Sequence, residues 1–183
     1  MEAACLIRCK PLRLTRGDRW ADCGIMITTG KKVETGFRLK IVQGDEEKEV
    51  EFKGLLTRPT IVSVYMRNNT PGCDRQNDSL VAHAEEFDAM GYNLVALSRD
   101  TCGSHRKYAA KKGVSYTLAS DPDDLFAQAT DSVIEKSMYG RKFTGPVRAA
   151  YVIDTDGTVL AIAEKVDTKD HSAQLMILLA ELS

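Results

Sequence analysis

The stretch Thr60-Ile61-Val62-Ser63-Val64-Tyr65-Met66-Arg67-Asn68-Asn69-Thr70-Pro71-Gly72-Cys73 decides the fold. Its first part, Thr60 to Met66, is a short, β-branched run that reads as a buried strand. The chain then leaves through a polar turn and sets a cysteine where a helix begins, because Leu80, Val81, Ala84, Phe87 and Met90 recur at helical spacing up to a capping Gly91. A thiol in the first turn of a helix faces unpaired backbone N–H groups and the positive end of the helix dipole, and both favour the thiolate, the reactive form of cysteine. Gly72 is expected to let the backbone come close, Pro71 to stiffen the approach, and Thr70 to offer a hydroxyl beside the sulfur. Residue types alone leave a second reading open, in which Cys73 is an ordinary buried cysteine and Thr70 a helix cap.

Outward from this stretch, elements alternate. Upstream, Phe37, Leu39 and Ile41 alternate with Arg38 and Lys40, Gln43 to Glu46 make a turn, and Val50 and Phe52 alternate with charges: an N-terminal β-hairpin. Downstream come a strand over 92–97, a helix over 104–112 capped by Ser104 and ended by Gly113, and a short strand at 116–118. A helix opened by Asp121-Pro122 runs through Ala129. Two strands, 149–154 and 158–163, flank Asp156-Gly157, and a closing helix covers 171–182. Strands separated by helices, with hairpins added, predict an α/β fold with a mixed sheet. Residues 1–35 show no sustained period and read as an extension, with one domain over 36–183.

Composition narrows the function. Twenty-five Lys and Arg balance 26 Asp and Glu with no basic cluster, which argues against nucleic acid and anionic membrane as partners. No apolar run reaches a membrane span, and the acidic Glu2 with a short apolar start does not resemble a signal peptide, so a cytoplasmic location is expected. The five cysteines, Cys5, Cys9, Cys23, Cys73 and Cys102, are an odd and sparse set that argues against a structural disulfide framework. Cys5, Cys9 and Cys23 have no nearby fourth ligand for zinc, and no phosphate-cradling glycine loop occurs, so neither a metal nor another cofactor is expected.

The residues also carry a resemblance. Thr70-Pro71-Gly72-Cys73 after a strand resembles the peroxidatic loop of the peroxiredoxins, in particular the peroxiredoxin Q, or bacterioferritin comigratory protein, branch. In the same order, Ser104-His105-Arg106-Lys107-Tyr108, Ser120-Asp121-Pro122-Asp123, Glu135 to Lys142, and Arg148 to Asp154 with Asp156-Gly157 resemble further segments of that branch. The resemblance covers residues 36–183 and implies a thioredoxin-like fold and a thiol peroxidase acting on hydrogen peroxide or alkyl hydroperoxides. It implies that Cys73 attacks the peroxide, Thr70 orients it, and Arg148 keeps the thiolate ionised. Met66, Pro71 and Gly72 would line the substrate pocket.

Two positions depart from the branch. Met66 stands where the pattern Pro-x-x-x-Thr-x-x-Cys has proline, so a looser loop or a differently shaped entrance is expected. The two places where the branch carries a resolving cysteine hold Asp78 and Ala109. Cys102, at the carboxyl end of the next strand, is the substitute resolver; otherwise thioredoxin, glutaredoxin or a low-molecular-weight thiol reduces the sulfenic acid directly. The N-terminal cysteines are a further source of a resolving thiol. A redox sensor or a thiol–disulfide oxidoreductase is the alternative function, although no Cys-x-x-Cys is present. Monomer and homodimer both remain open.

Overall fold

The computed structural model describes residues 26–138 and 141–182. The extension before residue 26, with Cys5, Cys9 and Cys23, and the Tyr139-Gly140 pair lie outside the described residues. A seven-stranded mixed sheet forms the centre, in the order β2-β1-β5-β4-β3-β8-β9. The parallel middle is β3 (Thr60–Val64), β4 (Asn93–Ser98) and β5 (Thr117–Ser120), joined by α1 (Pro71–Ala89) and α2 (Cys102–Lys112). The hairpin of β1 (Arg38–Gln43) and β2 (Glu46–Glu51) adds antiparallel to β5, and β8 (Ala150–Ile153) with β9 (Val159–Ala163) adds antiparallel to β3. This is the thioredoxin-like architecture expected from the sequence, N-terminal hairpin included.

Side-chain alternation divides the core into two layers. Ile61 and Tyr65 of the β3 segment, with Ala150 and Val152 of β8, face Leu80 and Phe87 of α1 and Leu175 and Leu179 of α4 (His171–Ala180). Val62, Val64, Tyr151 and Ile153 face the opposite layer, where Phe52 and Phe126 sit. There the rings run in sequence, Phe37 to Phe52 at 5.0 Å, Phe52 to Phe126 at 5.3 Å and Phe126 to Tyr151 at 5.2 Å between centroids. Among the described residues, no helix is long and apolar enough to cross a membrane.

Several local expectations change. The helix expected from Asp121-Pro122 begins later, as α3 (Leu125–Ala129), because the Asp121 carboxylate reaches past the proline to accept from the N–H groups of Leu125 (2.8 Å) and Phe126 (2.9 Å). Helix α2 starts at Cys102 rather than Ser104, and its cap is Thr101, whose hydroxyl accepts from the Ser104 N–H at 3.3 Å. The Asp156-Gly157 turn uses the left-handed region at Gly157 alone (φ 87°). Residues 133–146, for which no element was expected, form a separate hairpin of β6 (Val133–Met138) and β7 (Arg141–Pro146).

Residues 26–35 lie against the domain. Met26 and Ile27 pack on the layer containing Phe126, Val33 is buried within it, and the N–H groups of Gly30 and Val33 donate to the carbonyls of Val159 and Gly157. Truncating Phe126, wholly buried between two rings, to alanine is expected to cost about 3–5 kcal/mol of stability. A urea titration reads this as a lower midpoint with an unchanged slope.

Candidate active site

The chain leaves β3 under tight control. Val64 N–H donates to Ala149 O (2.9 Å) and Tyr65 N–H to Leu97 O (3.0 Å), so the exit of β3 is clamped by both neighbouring strands. In the loop that follows, Asn68 is buried: its N–H donates to Asp100 (2.8 Å), its amide to Ser104 (2.9 Å), and its carbonyl oxygen accepts from the Tyr65 hydroxyl (2.7 Å). Asn69 then takes a left-handed conformation, φ 57°, which asparagine tolerates. The loop that lacks the proline is thus tied to α2 by Asn68. Met66 is held as well, its sulfur accepting from the Lys136 ammonium of β6 at 3.1 Å.

Thr70 is the N-cap of α1 and Pro71 its first helical residue, where a missing N–H costs nothing. The helix therefore begins two residues before Cys73, and the sulfur stands in the first turn rather than at its opening. Thr70 makes no side-chain cap; its hydroxyl donates to Arg67 O at 2.9 Å and lies within reach of the Cys73 sulfur. Gly72 needs no left-handed backbone, and a Cβ there would stand 3.8 Å from Arg148 Nη2, an ordinary contact, so the expected close backbone approach is not what selects it. Pro71 is exposed.

Cys73 is 1% exposed. Arg148, two residues before β8, reaches back over it, with Nη2 at 3.3 Å from the sulfur and Nη1 donating to Gln76 Oε1. Burial alone would push the thiol up. The Thr70 hydroxyl, the Arg67 backbone, the Arg148 guanidinium and the Met66 backbone together outweigh it and hold Cys73 below the ordinary thiol value. Cys73 and Thr70 of one segment and Arg148 from a second, distant one, the three residues singled out by the resemblance, thus meet at one point.

Cys102 has different surroundings. Its thiol is buried and pushed up, first by burial and then by the Glu47 carboxylate, with Ser120 and Lys40 opposing in part. It lines a cavity of about 470 Å³ with Lys40, Glu47, Ser120 and Pro122, between the β1–β2 hairpin and α2. Both described cysteines are free. At the two positions where a resolving cysteine was sought, Asp78 pairs with Lys112 at 2.9 Å and Ala109 packs in the core.

Two residues of the site escaped the sequence reading. Gln76 is buried on the stripe of α1 that also carries Cys73, Leu80 and Phe87, and a polar residue on an apolar stripe was the signal that could have found it. Lys136 is half-buried between Met66 and Pro146 O, to which it donates at 2.5 Å, and its ammonium is pushed down by burial, then by Arg99 and Arg148. It lies on the hairpin the sequence did not disclose.

A buried thiol kept ionisable beside a guanidinium, on a thioredoxin-like sheet, defines a thiol-dependent peroxidase. The AhpC/TSA family model matches residues 30–162, and the chain belongs to the AhpC/TSA family, in its peroxiredoxin Q branch. It is similar to peroxiredoxin Bcp of Xanthomonas campestris pv. campestris, 32% identical over 61% of this chain and 70% of that one. Peroxiredoxin Bcp of Bacillus subtilis is 25% identical over 78% of this chain and 90% of its own length. Among solved structures, the bacterioferritin comigratory protein of Xanthomonas campestris, studied for alkyl peroxide reduction, superposes with a TM-score of 0.74 at 26% identity. That likeness covers 85% of this chain and all of the other.

Because the thiol value of Cys73 is lowered, its thiolate persists at lower pH than that of an ordinary cysteine. Removing a stabilising group must move the transition upward. In Thr70→Val and Arg148→Met the pH midpoint of Cys73 alkylation by iodoacetamide is expected to rise, with Cys102 reacting only at higher pH in every variant.

Proposed function

We propose that this chain reduces hydrogen peroxide and alkyl hydroperoxides with Cys73 as nucleophile, Thr70 orienting the peroxide and Arg148 stabilising first the thiolate and then the departing oxygen. The 3.3 Å contact between Arg148 Nη2 and the Cys73 sulfur carries this reading. A guanidinium is always charged and offers several donors in one plane, so one group can lower the thiol value and also face developing oxyanion charge. In the step itself, the thiolate attacks the terminal peroxide oxygen and the O–O bond breaks. That oxygen and its proton stay on sulfur as a sulfenic acid, and the alkoxide takes up the proton the thiol released on ionising. Met66, Pro71 and Gly72 border the approach to the sulfur, with Met66 as an apolar wall in the place of proline.

For recycling, the surroundings of Cys102 support an external thiol such as thioredoxin, glutaredoxin or a small thiol over an internal disulfide. The Cys102 thiol is held protonated, and it faces Glu47 and Ser120 where Cys73 faces Arg148. We take residues 36–183 as the catalytic domain, 26–35 as a strap along its edge, and the earlier residues as an extension. We place the protein in the cytoplasm, where free thiols such as Cys73 and Cys102 persist.

Peroxide consumption coupled to thioredoxin, thioredoxin reductase and NADPH is expected for the wild type and lost in Cys73→Ser, while Arg148→Met lowers kcat/KM by about 100-fold. Full activity in Cys73→Ser would remove the proposal. Intact mass after one equivalent of peroxide is expected to rise by one oxygen. A loss of two hydrogens that disappears in Cys102→Ser would establish Cys102 as the resolver instead.

A further inference from the structure

The layer beneath α1 contains a polar interruption. Ile61, Ser63 and Tyr65 of the β3 segment point into it, and Ser63 is wholly buried there. Two other wholly buried polar side chains meet this hydroxyl, Gln76 of α1 and His171 of α4. Gln76 Nε2 donates to Ser63 Oγ at 2.9 Å and to Val64 O at 3.3 Å, while Ser63 Oγ lies 3.0 Å from His171 Nε2. At its other end, Gln76 Oε1 accepts from Arg148 Nη1. His171 Nδ1 is 3.4 Å from Gln174 Oε1.

Donor and acceptor roles fix the direction of this chain. A guanidinium can only donate, so the Gln76 carbonyl accepts and its amide donates onward. At the far end Gln174 Oε1, which also accepts from the Asp167 N–H, can only accept, so a neutral His171 carries its proton on Nδ1 and its Nε2 accepts from the Ser63 hydroxyl. Burial pushes His171 down to about 4, only partly offset by Gln174, with Arg148 adding to the depression, so the ring is neutral near pH 7 and free to accept. With these roles every group in the chain is paired, and none of the three side chains meets water that could replace a lost partner.

Arg148 needs such support. It stands before β8 on a long, half-buried side chain, and its hydrogen bonds go to Cys73 and Gln76. We propose that Ser63 and His171 are positioning residues for the peroxidase site, holding the Gln76 amide so that its carbonyl fixes the Arg148 guanidinium against the Cys73 sulfur. This rests on the roles given above to Cys73 and Arg148. Ser63 and His171 never touch the peroxide; they set which way Gln76 points.

The test uses Ser63→Ala, His171→Phe, His171→Gln and Arg148→Met in the full chain, reading the thiol pKa of Cys73 from the pH profile of its alkylation together with kcat/KM for peroxide. Ser63→Ala and His171→Phe are expected to raise the thiol pKa in the direction of Arg148→Met and to lower kcat/KM roughly tenfold, as a displaced charged group would. In His171→Gln, the side-chain carbonyl can take the place of Nε2 as acceptor from Ser63, so both readouts are expected to return toward wild type. Should His171→Phe fail to fold, the nearly isosteric Ser63→Ala decides alone. Wild-type thiol pKa and kcat/KM in Ser63→Ala, with Arg148→Met altered, would overturn the inference and leave the proposed function standing. An unaltered Arg148→Met would overturn both.

Discussion

The candidate site depends on easing the ionisation of a sulfur that is almost entirely removed from water. Burial works against the charge, and no single group overcomes it. The first turn of α1 supplies a favourable dipole, Thr70 a hydroxyl, and Arg148 a full positive charge from just ahead of β8, 75 residues further along the chain. The fold brings these together through one parallel and one antiparallel pairing of β3. The pairing with β4 places the loop against Asp100 and Ser104, and the pairing with β8 delivers Arg148. A shift of β8 by one residue would turn Arg148 toward the layer of Phe126 and leave the sulfur without its cation.

The central sheet was legible because its strands are short, β-branched and bounded by strong punctuation: Gly91, Gly113 and the turn at Gly157 all fall at element ends. The site was legible for another reason. Residue types alone left Cys73 open as an ordinary buried cysteine and Thr70 as a helix cap, and it was the family resemblance that singled them out together with Arg148. Less legible were features settled by distant contacts. The start of α3 is set by the Asp121 carboxylate reaching forward, and no local propensity announces that reach. The β6–β7 hairpin lacks the alternation of a half-buried strand, and Lys136 was missed with it. Ser63, set within a β-branched run, gave no hint that its partner would be His171, over 100 residues away.

Met66 shows how one departure can be absorbed. Proline at this position would fix a backbone angle; here the loop takes its shape from side chains, through Asn68 on one side and the Met66–Lys136 contact on the other. The constraint has moved from the backbone of one residue to an agreement between α2 and the β6–β7 hairpin. Substitutions far from Cys73 in sequence, at Ser104 or Lys136, therefore bear on the same loop.

The near-complete enclosure of Cys73 also sorts the molecules that can react with it. With 1% of Cys73 exposed under the first turn of α1, what little surface it offers suits a slim molecule better than a protein thiol carrying its own scaffold. On the function proposed above, the oxidising half of the cycle would ask less of that turn than the reducing half. The tempo of regeneration would then follow how firmly the amino end of α1 is fastened.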